Sequence, residues 1–361
     1  MTPKFCHIFR VGFLLRSLII VAMAAGNARF SAGQEPTAAE KFVHISELHA
    51  MPAAQMGKVM NIMSASLGVN CQYCHSGNDF AKEDVPHKDV AREMIAMTFK
   101  LNADYFKGRT EITCYTCHRG QARPRAAISV DAFETLAAKA QPPLVAPIQM
   151  SVSSVLNKFV DAIGGPAQLA AIKSRHIIAK RIEPSGRSEA EELWQTVDGR
   201  SRIVTLYGDL PVIEGFDGST AWKRAGEQAI SLKFDESSQI VTEAKLAFGA
   251  GVKTAFNNLK LASATLIDGH EAIELVSPGL ESLTERLYFD IQSGLLIRRT
   301  SSMPTVLGEF TYQVDYQDYR EFAGVKLPTK LRFNIPNVSW DRVVTEVETN
   351  VDIDESIFQN R

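Results

Sequence analysis

Cysteine is scarce in this chain: five residues among 361, at positions 6, 71, 74, 114 and 117. That number is too small for a fold stapled together by many disulfides. Long apolar runs are missing too. The stretch 11–25 is broken by Arg16 and falls short of the roughly 20 residues a membrane-spanning helix needs. Charge of one sign is lacking, with a net of −2, so nothing points to nucleic acid as a partner. Beyond residue 151 the only histidines are His176 and His270, which stand alone, so an acid–base or metal cluster is not indicated there. No Gly-x-Ser-x-Gly, P-loop or paired-glycine fingerprint occurs.

What is present begins with the amino terminus. Lys4 and Arg10 precede the short apolar stretch, small residues follow, and Ala22-x-Ala24 is a cleavage-type site. Residues 1–33 therefore read as a secretory signal, cut near Ala24 or near Gly33. The expectation is an exported, periplasmic protein, or a membrane-associated one where the signal stays on. Residues 1–33 hold Lys4, Arg10, Arg16 and Arg29 and no acid, so cleavage leaves a mildly acidic chain that has lost Cys6.

The four remaining cysteines form two copies of one pentapeptide, Cys71–Gln72–Tyr73–Cys74–His75 and Cys114–Tyr115–Thr116–Cys117–His118. Two thioether bonds to one haem edge need thiols about one helical turn apart. The histidine that follows then points its imidazole at the iron. A pair of disulfides or a four-thiolate zinc site would use the same cysteines, but neither explains a histidine after each pair. The reading is two covalently attached haem c groups in an electron carrier rather than an enzyme. Cys71, Cys74, Cys114 and Cys117 are the attachment points, His75 and His118 the proximal ligands, and the partners are redox proteins.

Each motif follows an amphipathic helix. Met56, Met60 and Met63 fall on one face of the first, which Gly68 ends; Val90, Met94, Met97 and Leu101 fall on one face of the second. A methionine stripe serves equally for core packing and for a sixth iron ligand. Spacing alone does not choose between Met60 and Met63, or between Met94 and Met97. His44, His49 and His87 are the only other histidines near these motifs, and His87, beside Pro86 in a charged stretch, reads as solvent-exposed. Tyr73, Phe80, Phe99, Tyr105, Phe106 and Tyr115 are candidates to line haem faces, and Arg119 is a candidate partner for a propionate.

The segment running from Met60 to His75 resembles a haem unit of the tetrahaem cytochrome subunit of photosynthetic reaction centres. So does Ala91 to Asn102 followed by Ile112 to Gln121. The resemblance covers roughly residues 42–125 and half of that family's haems. It implies a helix lying along each haem plane with an axial methionine, and, matched by position, Met60 for the first haem and Met94 for the second. The chain departs from the family in having two motifs rather than four, and in lacking a histidine in the connection Ala103–Thr113.

From residue 151 the pattern changes. An amphipathic helix over Ser151–Ile163 closes at Gly164–Gly165, a shorter helix runs to about Lys173, and a further helix is expected over 237–248. Short β-type runs recur at 175–182, 190–197, 201–207, 219–224, 258–266, 270–277, 283–290, 294–300, 307–316, 329–334 and 340–350. Turn dipeptides such as Asp198–Gly199 and Asp268–Gly269 separate several of them. The fold class expected is two-domain: a mainly α dihaem cytochrome c domain at 40–125, a Pro-containing linker at 126–150 with a helix at 131–140, and a mainly β domain at 151–361. That second domain is expected to be a curved antiparallel sheet, half-barrel-like, with a few helices. Phe216–Trp222, Leu287–Arg298 and Tyr316–Pro328 resemble, more weakly, the curved half-barrels of lipoprotein-localisation carriers. For the β half this leaves a docking role or the binding of a lipid or lipoprotein. A dihaem enzyme with one open iron, peroxidase-like, is the alternative to a plain carrier.

Overall fold

The computed structural model describes residues 35–124, 150–249, 251–256, 258–278 and 283–360. The expected signal at 1–33, the helix at 131–140 and, Met150 apart, the linker at 126–150 lie outside the described residues. Residues 36–361 form one compact unit.

Four helices carry the haem-motif part: α1 (Ala38–Lys41), α2 (Met56–Leu67), α3 (His87–Phe106) and α4 (Cys114–His118). The sequence stops α2 as expected, because Gly68 takes the left-handed conformation (φ 66°) that a helix C-cap favours. A side chain there would also collide with the neighbouring turn, since an added Cβ would lie 2.1 Å from the Gly120 carbonyl oxygen. Gly120 in turn donates its N–H to Ser66 O at 2.8 Å. The end of the first helix is thus locked to the end of the second haem motif.

Beyond residue 150 come α5 (Val152–Ala162) and α6 (Gly165–Ala171). The Ser151 hydroxyl caps α5 by accepting from Ser154 N–H at 3.1 Å, and the helix buries Val155, Leu156, Phe159 and Val160. There follow β1 (Ser174–Ile182), β2 (Ser188–Thr196), β3 (Ser201–Tyr207), β4 (Leu210–Phe216), β5 (Ala221–Ala225) and β6 (Gln228–Ile230). Next are α7 (Phe234–Leu246) and α8 (Val252–Ala255), then β7 (Lys260–Ile267), β8 (His270–Pro278), β9 (Thr284–Asp290), β10 (Leu296–Thr305), β11 (Gly308–Phe322), β12 (Val325–Ile335) and β13 (Val338–Thr349).

The strands make one open, curved antiparallel sheet in the order β6-β5-β4-β3-β2-β1-β13-β12-β11-β10-β9-β8-β7. Two meanders therefore run outward from a central seam in which the first strand pairs with the last. The expected fold class is what the chain adopts: a helical, cytochrome-like region followed by an antiparallel curved sheet. Two expectations need correction in detail. β4 and β6 were not expected, and β11 and β12 run longer than the runs at 307–316 and 329–334.

The main core packs α5, α6 and the α7–α8 region on β8 to β12, with Phe159, Phe248, Leu287, Phe289 and Phe333 at its centre. A smaller core lies in the haem-motif part, where Ala38, Leu48, Met51, Val59 and Ile95 meet. Its sixth buried member, Leu307, comes from the turn between β10 and β11 and is 0% exposed. Among the described residues no helix is long and apolar enough to cross a membrane.

Candidate haem site

The two pentapeptides sit on single turns that space their cysteines for one ring edge. Cys71–Tyr73 is a 3-10 turn that starts at Asn70, whose side-chain oxygen accepts from Gln72 N–H at 3.1 Å. The second motif is α4 itself, entered through Thr113, whose N–H reaches Thr116 Oγ1 at 3.0 Å. The chain leading into α4 is held by a residue in the C-terminal part of α3, of a type poor in helix interiors. Buried Asn102 donates to Ile112 O (2.8 Å) and accepts from the N–H groups of Glu111 (3.1 Å) and Ile112 (2.9 Å).

Both motif histidines are oriented in the same way. His75 Nδ1 lies 3.1 Å from Phe80 O, and His118 Nδ1 lies 2.9 Å from Gln121 O. A carbonyl can only accept, so each Nδ1 carries the proton and each Nε2 keeps its lone pair free. Burial, with a smaller contribution from the Lys88 cation, pushes His75 below the usual histidine range, which favours the neutral imidazole that a metal requires. Lys88 is itself buried and donates to the same Phe80 carbonyl at 2.9 Å and to Glu83 at 3.2 Å, fixing the loop after the first motif.

All eight residues singled out from the sequence line one open cleft of about 1470 Å³: Cys71, Cys74, His75, Cys114, Cys117, His118, Met60 and Met94. Met63 and Met97 line it as well, so the geometry alone leaves both methionine pairs in reach. The α3 stripe faces the cleft uncovered, with Met94 37% and Met97 45% exposed beside exposed Val90, while the adjacent Ile95 and Thr98 line the same cleft but are buried. Helices seldom present apolar stripes to water, and a haem face would cover this one.

The four thiols are free, and burial raises the Cys74 and Cys114 thiols above their ordinary range. Among the described residues no three His, Cys, Asp or Glu side chains converge as a metal cluster, so the four-thiolate zinc arrangement is not formed. The donor set fits haem: paired thiols on single turns, imidazoles fixed with Nε2 free, and thioethers across an apolar cleft.

Other expectations divide. Tyr73 and Phe80 line the cleft, and Phe80 sits edge-on to His75 at 5.1 Å. Tyr105 and Tyr115 are exposed and Phe99 packs in the small core, so none of the three lines that cleft. Arg119 is exposed, with left-handed backbone at φ 49°. His87 is exposed as expected, yet it opens α3 rather than lying in a loop. Its ring stacks on Tyr73 at 4.0 Å, its Nδ1 lies 2.8 Å from Tyr73 O, and it joins the cleft wall.

Comparison with known proteins agrees with the helical part. Residues 20–149 match the family described as photosynthetic reaction centre cytochrome C subunit. Cytochrome c-554 of Chloroflexus aurantiacus is 35% identical over 82 residues, 21% of this chain and 20% of that protein. The photosynthetic reaction center cytochrome c subunit of Thermochromatium tepidum is 30% identical over 100 residues, 27% of this chain and 25% of that one. The chain thus spans about a quarter or less of the length of these two curated relatives. Among solved structures, a LolA superfamily protein from Nitrosomonas europaea aligns over 58% of this chain and 98% of its own, at 14% identity and a TM-score of 0.42. The segment bearing both Cys-x-x-Cys-His motifs is therefore similar to the photosynthetic reaction centre cytochrome c subunits, and that is the family in which its sequence finds relatives.

Proposed function

We propose that this chain is an exported c-type cytochrome that passes electrons between redox proteins by outer-sphere transfer. Two haems are covalently attached, one at Cys71 and Cys74, the other at Cys114 and Cys117. The observation that carries the reading is the shared orientation of His75 and His118, each turned by a backbone carbonyl so that Nε2 is free for iron. A c-type haem, once bound, supplies a one-electron iron couple whose potential is higher with methionine than with histidine as the second axial ligand.

The protein's part is to hold and tune. Cys71 and Cys117 are exposed enough to meet the attachment machinery. His75 and His118 would each supply a nitrogen to the iron. Met60 on α2 and Met94 on α3 would each supply a thioether, a choice that follows the positional match to the related family. Lys88 and the Phe80 carbonyl fix the first imidazole, and Asn102 fixes the approach to the second motif. The sheet serves as the surface on which this unit is presented to its partners.

Native mass spectrometry of chain matured in a periplasm with haem-attachment machinery tests the proposal. Two covalent haems and low-spin spectra in both oxidation states are expected. One haem or none removes the central claim. Rapid carbon monoxide binding at a reduced haem would instead mean an open iron and favour the peroxidase-like alternative.

A further inference from the structure

The two haem motifs differ in how the charges around them are answered. In the stretch 76–93, after the first motif, every lysine and arginine has an acid at hand. Lys82 pairs with Asp84 at 2.6 Å, Lys88 with Glu83 at 3.2 Å, and Arg92 with Glu83 at 2.7 Å and Asp89 at 2.8 Å. The stretch 105–123, around the second motif, holds a single acid, Glu111, and Arg109 takes it at 3.0 Å. Lys107, Arg119 and Arg123 are exposed and make no ion pair among the described residues.

Two tyrosines stand open beside these cations, Tyr105 at 74% and Tyr115 at 59% exposure. Tyr105 falls one helical turn beyond Leu101 and two beyond Met97, so it carries the cleft-facing stripe of α3 past the end of the cleft. Lys107 caps the helix two residues later. On α4, Tyr115 and Arg119 are one turn apart, with the Arg119 N–H donating to Tyr115 O at 3.2 Å, and Cys117 is exposed in the same turn. Asn102 joins the two helices through its bonds to Glu111 and Ile112. Open aromatic rings supply contact area, and unanswered cations steer an approaching protein of opposite sign. Exposed cations such as these add little to the stability of the fold itself.

We propose that the end of α3 and the α4 turn form the docking surface for an acidic one-electron carrier protein, which exchanges its electron at the second haem motif. The inference rests on the reading of this chain as an electron carrier and adds the sign of the partner and the motif it meets. The sign is the substance of the proposal. The chain as a whole carries −2, so its overall charge repels an acidic protein, and only a local basic surface reverses that.

The test uses the full holo chain and two reductants, an acidic flavodoxin in its reduced form and reduced lumiflavin, a small flavin without charge. Each reaction moves one electron from the reduced flavin to a ferric iron, and Soret absorbance follows its rate. The flavodoxin rate is expected to fall about tenfold or more between roughly 10 mM and 1 M salt, as the screening length shrinks from about 30 to about 3 Å. The lumiflavin rate should stay flat. Lys107→Glu combined with Arg123→Glu should reverse the flavodoxin slope, meet the parent's rate near the top of the salt range and leave the lumiflavin rate unchanged. A parent whose flavodoxin rate rises with salt, or ignores it, overturns the proposal and needs no variant to do so; reduction by lumiflavin then leaves the carrier reading standing. If neither reagent reduces the haems, the carrier reading falls and the proposal with it. A double variant that keeps the parent's slope, or is slowed equally at every salt concentration, shows that these charges do not dock the partner and also overturns the proposal.

Discussion

An imidazole can meet iron through either ring nitrogen, and at both motifs the backbone makes the choice. The Phe80 and Gln121 carbonyls hold Nδ1, and only Nε2 is left to the cleft. Across from these nitrogens the choice of methionine is finer, since Met60 and Met63, like Met94 and Met97, share one wall. Met60→Ala should lower the potential of one haem and open it to carbon monoxide, and Met94→Ala should do the same at the other. A redox titration of either variant that overlays the parent would transfer the ligand role to Met63 or Met97. Lys88 offers a subtler handle, because its ammonium sits on the very carbonyl that orients His75. A nearby cation favours the less positive, reduced iron, so Lys88→Met should lower the first haem's potential by about 30–60 mV, up to one tenfold step for a one-electron couple. An unchanged potential would mean that solvent screens the charge.

Elements were legible in the sequence where the code is local. The α2 and α3 stripes, the Gly68 stop and both pentapeptides are short-range patterns, and the structure has helices and turns at those places. Strand β4 was not legible. Its Pro211 and Gly215 read as breakers, yet Gly215 is there because the Trp222 indole from β5 lies over it, where an added Cβ would be 2.3 Å from the ring. The carbonyls that orient the histidines left no trace either, for a backbone oxygen is the same whatever side chain it accompanies. Asn102 does leave one, as a short polar side chain near the end of the α3 pattern. The lock between the ends of α2 and α4 gives this scale its prediction. Gly68→Ala must hold an alanine at φ 66° and push the Gly120 carbonyl away, a cost of at least about 2 kcal/mol. Thermal melts followed at the Soret band should drop by several degrees; an unchanged midpoint would show that the turn shifts freely.

At the scale of the whole molecule, the haem-motif part and the sheet share more than a chain. Lys58 on α2, nearly buried, pairs with Asp235 in the first turn of α7 at 3.0 Å. The β10–β11 turn places Leu307 inside the core that Val59 and Ile95 build beneath Met60 and Met63. The sequence suggests a domain boundary between these regions, because composition changes near residue 125 and nothing in a pattern of short strands announces that one hairpin tip will pack among distant helices. Deleting a fully buried leucine side chain costs about 2–5 kcal/mol, depending on how far the site collapses. Leu307→Ala should therefore weaken the haem-motif part although the substitution lies in the sheet. Two reporters separate the outcomes in one denaturant titration: Soret absorbance for the haem site, and fluorescence of Trp194, Trp222 and Trp340, all on strands, for the sheet. In the parent the two transitions should coincide, as expected of one cooperative unit. In the variant the Soret transition should move to lower denaturant and part from the fluorescence transition, because the lost contacts belong to the helices. If the two still coincide after an equal shift, the coupling runs through the whole interface and not through this hairpin. If the Soret transition stays where it was, the haem-motif helices hold together without Leu307.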